Sequence, residues 1–349
     1  MATIEALPAQ HSQQQDVERM MQLTTGMVFT AALQPIARLK IADMLSEGPL
    51  PVSRLAAETA TNEDALYRVL RLLASVGVFA ELPGKIFAIT PMSQLMRSDA
   101  PGTIRDLIVW ISNPFHFEVH AELGHSLKTG DPAVEKVYGQ TGFEAIFSRP
   151  EVASDFNLAM TCFSRRIAPA LLEAYDFSDI GTLMDVAGGH GAVLCEVLAR
   201  YPKMKGILFD IPSVIEEANG HICALKMDER CQTMKGDFFD EIPSGADAYY
   251  MQHILHDWKD DRCLKILANC RRALEGRENG RLLIVDSVVP ETSDPHPSKW
   301  LDIEMLLMPG GRERTRPEWE ALFAQAGFEI ARIVPLKAAE SLIEVYIRG

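Results

Sequence analysis

LMDVAGGHGAVLCEVLARYP, residues 183–202, decides how the second half of this chain is read. An apolar run reaches Asp185, breaks at Gly188, Gly189 and Gly191, and resumes as an amphipathic stretch. A strand, a glycine turn and a helix in that order let backbone approach a ligand closely and aim a helix N-terminus at it. Alone, the turn is a weak signal. It is not a Walker loop, because Gly-x-x-x-x-Gly-Lys-Ser/Thr is absent, and Ala187 stands where a dinucleotide fingerprint has its first glycine.

Working outward, KGILFDIP, CQTMKGDFF, ADAYYMQHIL and GRLLIVDSVV are short strand-like runs separated by helical segments. That alternation predicts a doubly wound, mostly parallel α/β sheet of Rossmann-like type. FEIARIVPL and SLIEVYIR then predict a closing antiparallel hairpin, preceded by a helix with a capping box from Thr315 to Glu318. Asp210 falls 25 residues after Asp185, at the end of the second strand, where an acid accepts hydrogen bonds from ribose hydroxyls. Asp237 and Phe238 end the third strand. A carboxylate beside an aromatic face can hold an adenine amine and stack its ring. Ribose and adenine sites with no diphosphate site point to S-adenosylmethionine. Turn-forming acids would explain any one of the three, but not three in register.

The first hundred residues read differently. Val17 to Leu45 places apolar residues at spacings of three and four, GPLP at 48–51 breaks the pattern, and a short helix follows. Thr61 and Asp64 are spaced as a capping box for a further helix reaching Val76. VFAELPGKIFAIT then predicts a hairpin turning at Pro83-Gly84. Three helices and a hairpin spell a winged helix. The third helix offers Arg68 and Arg71 against Glu63 and Asp64, and its leucines occupy much of its circumference. It suits burial against protein, including a second copy of the chain, better than DNA. The expected layout is a winged-helix dimerisation domain over 1–102, a helical connecting region rich in aromatics over 103–177, and a cofactor-binding domain over 178–349.

Composition agrees. The chain has 349 residues, 47% hydrophobic and 23% charged, the balance of a globular protein. A net charge of −14 argues against nucleic acid, which is bound through clustered Lys and Arg. No run suffices to cross a membrane. The start, MATIEALPAQHSQQQD, lacks a charged-then-apolar leader and reads as a flexible tail. Cysteines 162, 195, 223, 231, 263 and 270 have no paired spacing and read as buried reduced thiols of a cytoplasmic protein.

LMDVAGGHG, LFDIP, KGDFF, MQHILHDW and GGRERT, in that order, resemble the motifs of the S-adenosylmethionine-dependent O-methyltransferases related to plant caffeic acid O-methyltransferase, the bacterial small-molecule members above all. The resemblance spans nearly the whole chain, including the winged-helix region and FNLAM at 156–160, and departs at Ala187. It implies a cofactor site of Asp185, Gly188, Gly189, Gly191, Asp210, Asp237, Phe238, Gln252, Trp258, Met160 and Ser164, with Gln252 standing where plant relatives have a lysine. It also implies a homodimer.

Methyl transfer is a direct displacement, so the protein must supply an aligned, deprotonated nucleophile. A phenol titrates near pH 10, so an imidazole in hydrogen-bonding reach serves as general base. His256 lies just past the fourth strand, where ligands of open α/β sheets bind, and the resemblance puts the base there. It also sets two acids against that base, Asp286 and Glu313. Asp286 is shorter than the Glu common among relatives, which favours Glu313. Asp257 is expected to cap the next helix or bond backbone.

His116 and His120 share a helical face that could chelate a metal, but HExxH is absent and no metal is expected. That segment is expected to line the acceptor pocket with Trp110, Phe115 and Phe117, while Phe163, Met305 and Met308 suggest a flat apolar pocket; His253 could line it too. The function expected is O-methylation of an aromatic small molecule at a hydroxyl. The alternatives are C- or N-methylation, decarboxylation or hydroxylation by a diverged member, and a DNA-binding metabolite sensor, which the acidic winged helix disfavours.

Overall fold

The computed structural model describes residues 12–349, which fall into two compact units divided after Pro114. The first begins with a long helix, Gln13–Arg38, capped by Ser12 in a reciprocal box with Gln15. Residues 13–16 are therefore helical and Ser12 caps them, while residues 1–11 of the expected tail lie outside the described residues. The helix stops before Lys40, whose φ of +55° turns the chain into the short helix Ile41–Met44. Strands β1 (Leu50–Pro51), β2 (Phe79–Leu82) and β3 (Ile86–Ile89) form a small sheet in the order β1-β3-β2 beside helices Val52–Thr59 and Glu63–Ser75. Gly84 takes the positive φ that the turn requires, at +86°. The cap of helix Glu63–Ser75 is Asn62, whose side chain accepts from Ala65 N. Thr61 instead pairs with Thr59, so the expected box is displaced by one residue. Leu66, Leu70 and Leu73 bury one face of this helix. By contrast Val17, Met20, Met21, Leu23, Met27 and Val28 of the first helix are exposed.

The second unit is built on an eight-stranded sheet. Its strands are β4 (Thr182–Val186), β5 (Lys205–Asp210), β6 (Cys231–Lys235), β7 (Ala248–Gln252), β8 (Arg281–Val289), β9 (Arg314–Thr315), β10 (Phe328–Pro335) and β11 (Glu340–Ile347). The order is β10-β11-β8-β7-β4-β5-β6, with β9 beside β8. The five strands β8-β7-β4-β5-β6 pair in parallel, while β11 joins β8 and β10 antiparallel. One apolar core packs helices Pro150–Ala174, Ala192–Arg200 and Pro212–Ala224 on the sheet. A second core packs Asp260–Leu274 and Arg316–Gln325, whose Trp319 and Phe323 stack. Both faces are covered, which is why the strands read as continuous apolar runs. Thr315 and Glu318 form the expected capping box.

Strand order reverses between β4 and β7, and open α/β sheets bind ligands at the carboxyl ends of strands flanking such a point. Glycine turn and HDW segment follow these two neighbours directly. Among the described residues no helix is long and apolar enough to cross a membrane. All six cysteines are free thiols; five are buried, and Cys223 is exposed, contrary to expectation.

Candidate active site

The turn after β4 is tight because its neighbours leave no room. A Cβ on Gly188 would lie 2.4 Å from the Asp185 carboxyl carbon and 2.6 Å from Leu208, and one on Gly191 would meet Leu208 at 3.2 Å. Gly189, at φ +59°, faces open space, so its backbone is approachable. Ala187 is also left-handed, φ +58°, the conformation that favours the glycine it replaces. Asp210 braces the turn: Gly189 N donates to one of its oxygens at 2.9 Å and Ile211 N to the other at 2.7 Å. Burial lifts its carboxyl above the usual range. Asp185, almost wholly buried, is pushed up to about 8 by that burial and by the Asp210 charge.

Aromatic rings gather beyond β6. Trp258 meets Phe239 edge-on at 4.7 Å and Phe238 at 6.3 Å, and the Arg262 guanidinium lies 3.7 Å above the Phe239 ring. Asp237 is exposed and accepts from Phe239 N. Gln252 ends β7 and accepts from the Tyr250 hydroxyl. Met160 and Ser164 lie partly buried on the helix Pro150–Ala174, whose Phe163 brings its ring to 6.0 Å from His253.

The chain after β7 makes a short 3-10 turn, Leu255–Asp257, that carries His256. His256 is buried, and its Nδ1 lies 2.6 Å from Glu313 Oε1. Asp286 Oδ1 is farther, at 3.9 Å, while Asp257 Oδ1 lies 3.5 Å from the other nitrogen, Nε2. Asp257 thus neighbours the imidazole; the helix Asp260–Leu274 takes its cap from the Lys259 backbone. Burial works against the imidazolium, but the charges of Glu313, Asp257 and Asp286 outweigh it and hold His256 up to about 10. Burial in turn raises Asp286 to about 7 and Asp257 to about 6.

Several positioning residues escape the sequence reading. A Cβ on Gly311 would sit 2.0 Å from the His256 carbonyl oxygen, so only glycine lets GGRERT lie on HDW. Arg312 N then donates to that oxygen at 2.8 Å. The buried Arg314 guanidinium donates to the carbonyls of Leu255 and Trp258 and to Asp260, and Asp302 accepts from Glu313 N. The glycine doublet signals this; the acids do not. His253 and Glu340 were also unforeseen as a pair, with Nε2 to Oε1 at 3.4 Å. His116 and His120 share the carboxylate of Glu304, at 2.9 and 3.4 Å.

Sheet order, glycine turn and buried imidazole define an S-adenosylmethionine-dependent methyltransferase. The chain belongs to the O-methyltransferase family: residues 120–329 match its O-methyltransferase domain and 21–99 its O-methyltransferase dimerisation domain. It is 39% identical to a phenazine O-methyltransferase of Lysobacter antibioticus, covering 93% of this chain and 94% of that one. It is 33% identical to an 8-amino-8-demethylriboflavin N,N-dimethyltransferase of Streptomyces davaonensis, covering 97% of each. The crystal structure of LaPhzM superposes with a TM-score of 0.89 at 38% identity, covering 95% of this chain and 99% of that one. NcsB1 of neocarzinostatin biosynthesis, solved with S-adenosylmethionine and 2-hydroxy-5-methyl naphthoic acid, gives 0.77 at 27% identity, over 91% and 95%. The residues present fit that cofactor: Gly189 opens on space, and Asp210 keeps lone pairs beyond its two backbone bonds.

Proposed function

We propose that this O-methyltransferase moves a methyl group from S-adenosylmethionine to a hydroxyl of an aromatic small molecule, with His256 as general base. The observation that carries the reading is the buried His256–Glu313 pair at 2.6 Å, at the carboxyl end of the strand beside the glycine turn. The cofactor supplies an electrophilic methyl on a good leaving group. Asp185 and the backbone of Gly188, Gly189 and Gly191 would hold it, with Asp210 taking the ribose hydroxyls. Asp237, Phe238 and Trp258 would enclose the adenine, and Gln252, Met160 and Ser164 would line the methyl side.

His256 takes the hydroxyl proton at Nε2, the nitrogen that Glu313 leaves unpaired. Glu313 fixes the tautomer by accepting from Nδ1, and it stabilises the imidazolium that forms. Asp286, farther off, adds charge without a hydrogen bond. The apolar stripe from Val17 to Val28 supports a homodimer through the first unit, in line with the dimerisation-domain match.

The riboflavin-type relative acts on an amino group, which motivates the second reading, N-methylation. A neutral amine needs no base to expose its lone pair. One experiment separates the readings. His256→Ala is assayed with labelled cofactor against phenazines, naphthoic acids, catechols and aminoaromatics, with cofactor affinity measured by calorimetry. Turnover on a hydroxyl falls by about a hundredfold or more with affinity little changed. Parental rates on a hydroxylated acceptor would remove His256 from its role, and activity confined to amines would favour the second reading.

A further inference from the structure

We propose that His253, His256 and Asp286 form a site for a late divalent transition metal ion, of the zinc or nickel kind, whose binding switches methyl transfer off. The switching rests on the reading of His256 as base; the binding does not.

The donors are already gathered. His253 Nδ1 and His256 Nδ1 lie 4.0 and 3.9 Å from the same oxygen, Asp286 Oδ1, and the three residues each bring a donor atom within 4.8 Å of the others'. A tetrahedral zinc with bonds of about 2.1 Å spaces its donors by roughly 3.4 Å, so the imidazoles close on Asp286 by about half an ångström and the widest pair in the set by up to about 1.4 Å. Two imidazoles and a carboxylate are a donor set that suits zinc and nickel over calcium or magnesium.

The acid at the centre makes no hydrogen bond. Asp286 is 0% exposed, and neither oxygen has a hydrogen-bond partner. A carboxyl group stripped of water and given no donor is costly to bury. The flanking imidazoles stand too far off to serve as donors themselves. A cation between the three satisfies all of them at once.

The surroundings are those of a metal ligand set. Glu340 Oε1 lies 3.4 Å from His253 Nε2, which has no hydrogen bond of its own, so a small closure would make Glu340 the outer carboxylate that orients a ligating imidazole. Glu313 has a buried second oxygen, Oε2, with no partner. Four carboxylates, Asp257, Asp286, Glu313 and Glu340, surround two imidazoles, so the cluster favours a dication. His253 is also held at φ +54°, its N–H tied to the Val285 carbonyl of β8. Left-handed backbone at a non-glycine residue marks a position that its surroundings over-determine.

Inhibition follows from which nitrogen is claimed. A metal on His256 Nδ1 takes that nitrogen's lone pair, so the single proton of the neutral ring passes from Nδ1 to Nε2 through solvent, and the hydrogen bond from Nδ1 to Glu313 is given up. The nitrogen facing the acceptor then has no lone pair. The base is thereby locked in the tautomer that cannot accept a proton.

The test uses the full chain, stripped with a chelator and titrated with zinc chloride alone. Bound zinc is counted after gel filtration, and turnover is followed on an acceptor established beforehand. One zinc per chain is expected, with turnover down at least tenfold and restored by chelator. His253→Asn keeps a side chain tolerant of left-handed backbone. It should bind zinc at least tenfold more weakly, and whatever turnover it shows without metal should resist the inhibition. Glu340→Gln, which leaves all three ligands in place, should weaken zinc by about tenfold. Unchanged zinc affinity in both variants, or full activity with the metal bound, would overturn the proposal. Zinc counts are read without acceptor, so they stand or fall independently of the role of His256 in turnover.

Discussion

Gly311 rests directly on His256: a single methyl at the glycine would lie 2.0 Å from the histidine's carbonyl oxygen. Two segments 55 positions apart are thereby clamped backbone to backbone, and Arg312 N and Arg314 close the clamp with hydrogen bonds. The clamp sets the Glu313 carboxylate against the ring.

Gly311→Ala tests the clamp. The contacting atoms, His256 O, Asp257 C and Trp258 N, are all backbone and cannot yield, so the loop itself must move. A displacement of about 1 Å at reacting groups can cost on the order of a hundredfold. Turnover should fall by about that factor, with cofactor affinity by calorimetry within a few-fold because the glycine turn lies on another strand. Near-parental turnover would mean that Glu313 is positioned by something else.

The carboxylates around His256 set its pH dependence. Three of them hold the imidazole up to about 10 against the opposing effect of burial. A base must be neutral to accept a proton, so below that pH the competent fraction grows about tenfold per unit. kcat/KM for a hydroxylated acceptor should therefore climb with pH through the neutral and alkaline range. In Glu313→Gln the imidazolium loses its nearest counter-charge, so the limb moves to lower pH while the plateau drops by roughly tenfold or more as the tautomer is freed. A limb moving upward would contradict the electrostatic account.

Ala187 carries strain in the glycine turn. A left-handed alanine costs about 1–2 kcal/mol, and glycine returns roughly 0.4–1 kcal/mol of that through the freer unfolded chain. Ala187→Gly should thus stabilise the fold slightly, by between about 0 and 1.6 kcal/mol, seen as a raised denaturation midpoint, without weakening cofactor binding. A β-branched Ala187→Val should destabilise by more than that. Loss of stability in the glycine variant would show the strain to be absent.

Met20 and Met27 stand exposed on the first helix, two turns apart, amid four other exposed apolar residues. Contiguous apolar surface of this kind marks a contact. A Met20→Lys, Met27→Glu double variant should shift the protein toward monomer on a sizing column, with its unfolding made concentration-independent. An unshifted elution volume would place the subunit contact elsewhere.

Much of this was legible in residue order alone. Strands β4 to β8, the closing hairpin and the Thr315–Glu318 cap follow from local patterns, because apolar periodicity and capping chemistry act over a few residues. Asn62 took the cap from Thr61 by one residue, since a threonine hydroxyl nearby, Thr59, competes for it. Asp257 gave no local sign of facing the ring; its helix is entered from Lys259 instead.

The sequence by itself determined the sheet, the glycine turn and the residue types that meet there. The tertiary structure alone decided their distances. Antiparallel pairing puts Ser341 opposite Asp286 and Glu340 opposite Ser287, bringing Glu340 to His253 across 87 positions of chain. A shift of one residue would turn every side chain to the other face. Glu313 at 2.6 Å and Asp286 at 3.9 Å from one imidazole nitrogen likewise depend on a contact between distant segments, which the glycine doublet signals without giving its distances. Chemistry is written residue by residue, but distance is set by packing between segments far apart in the chain.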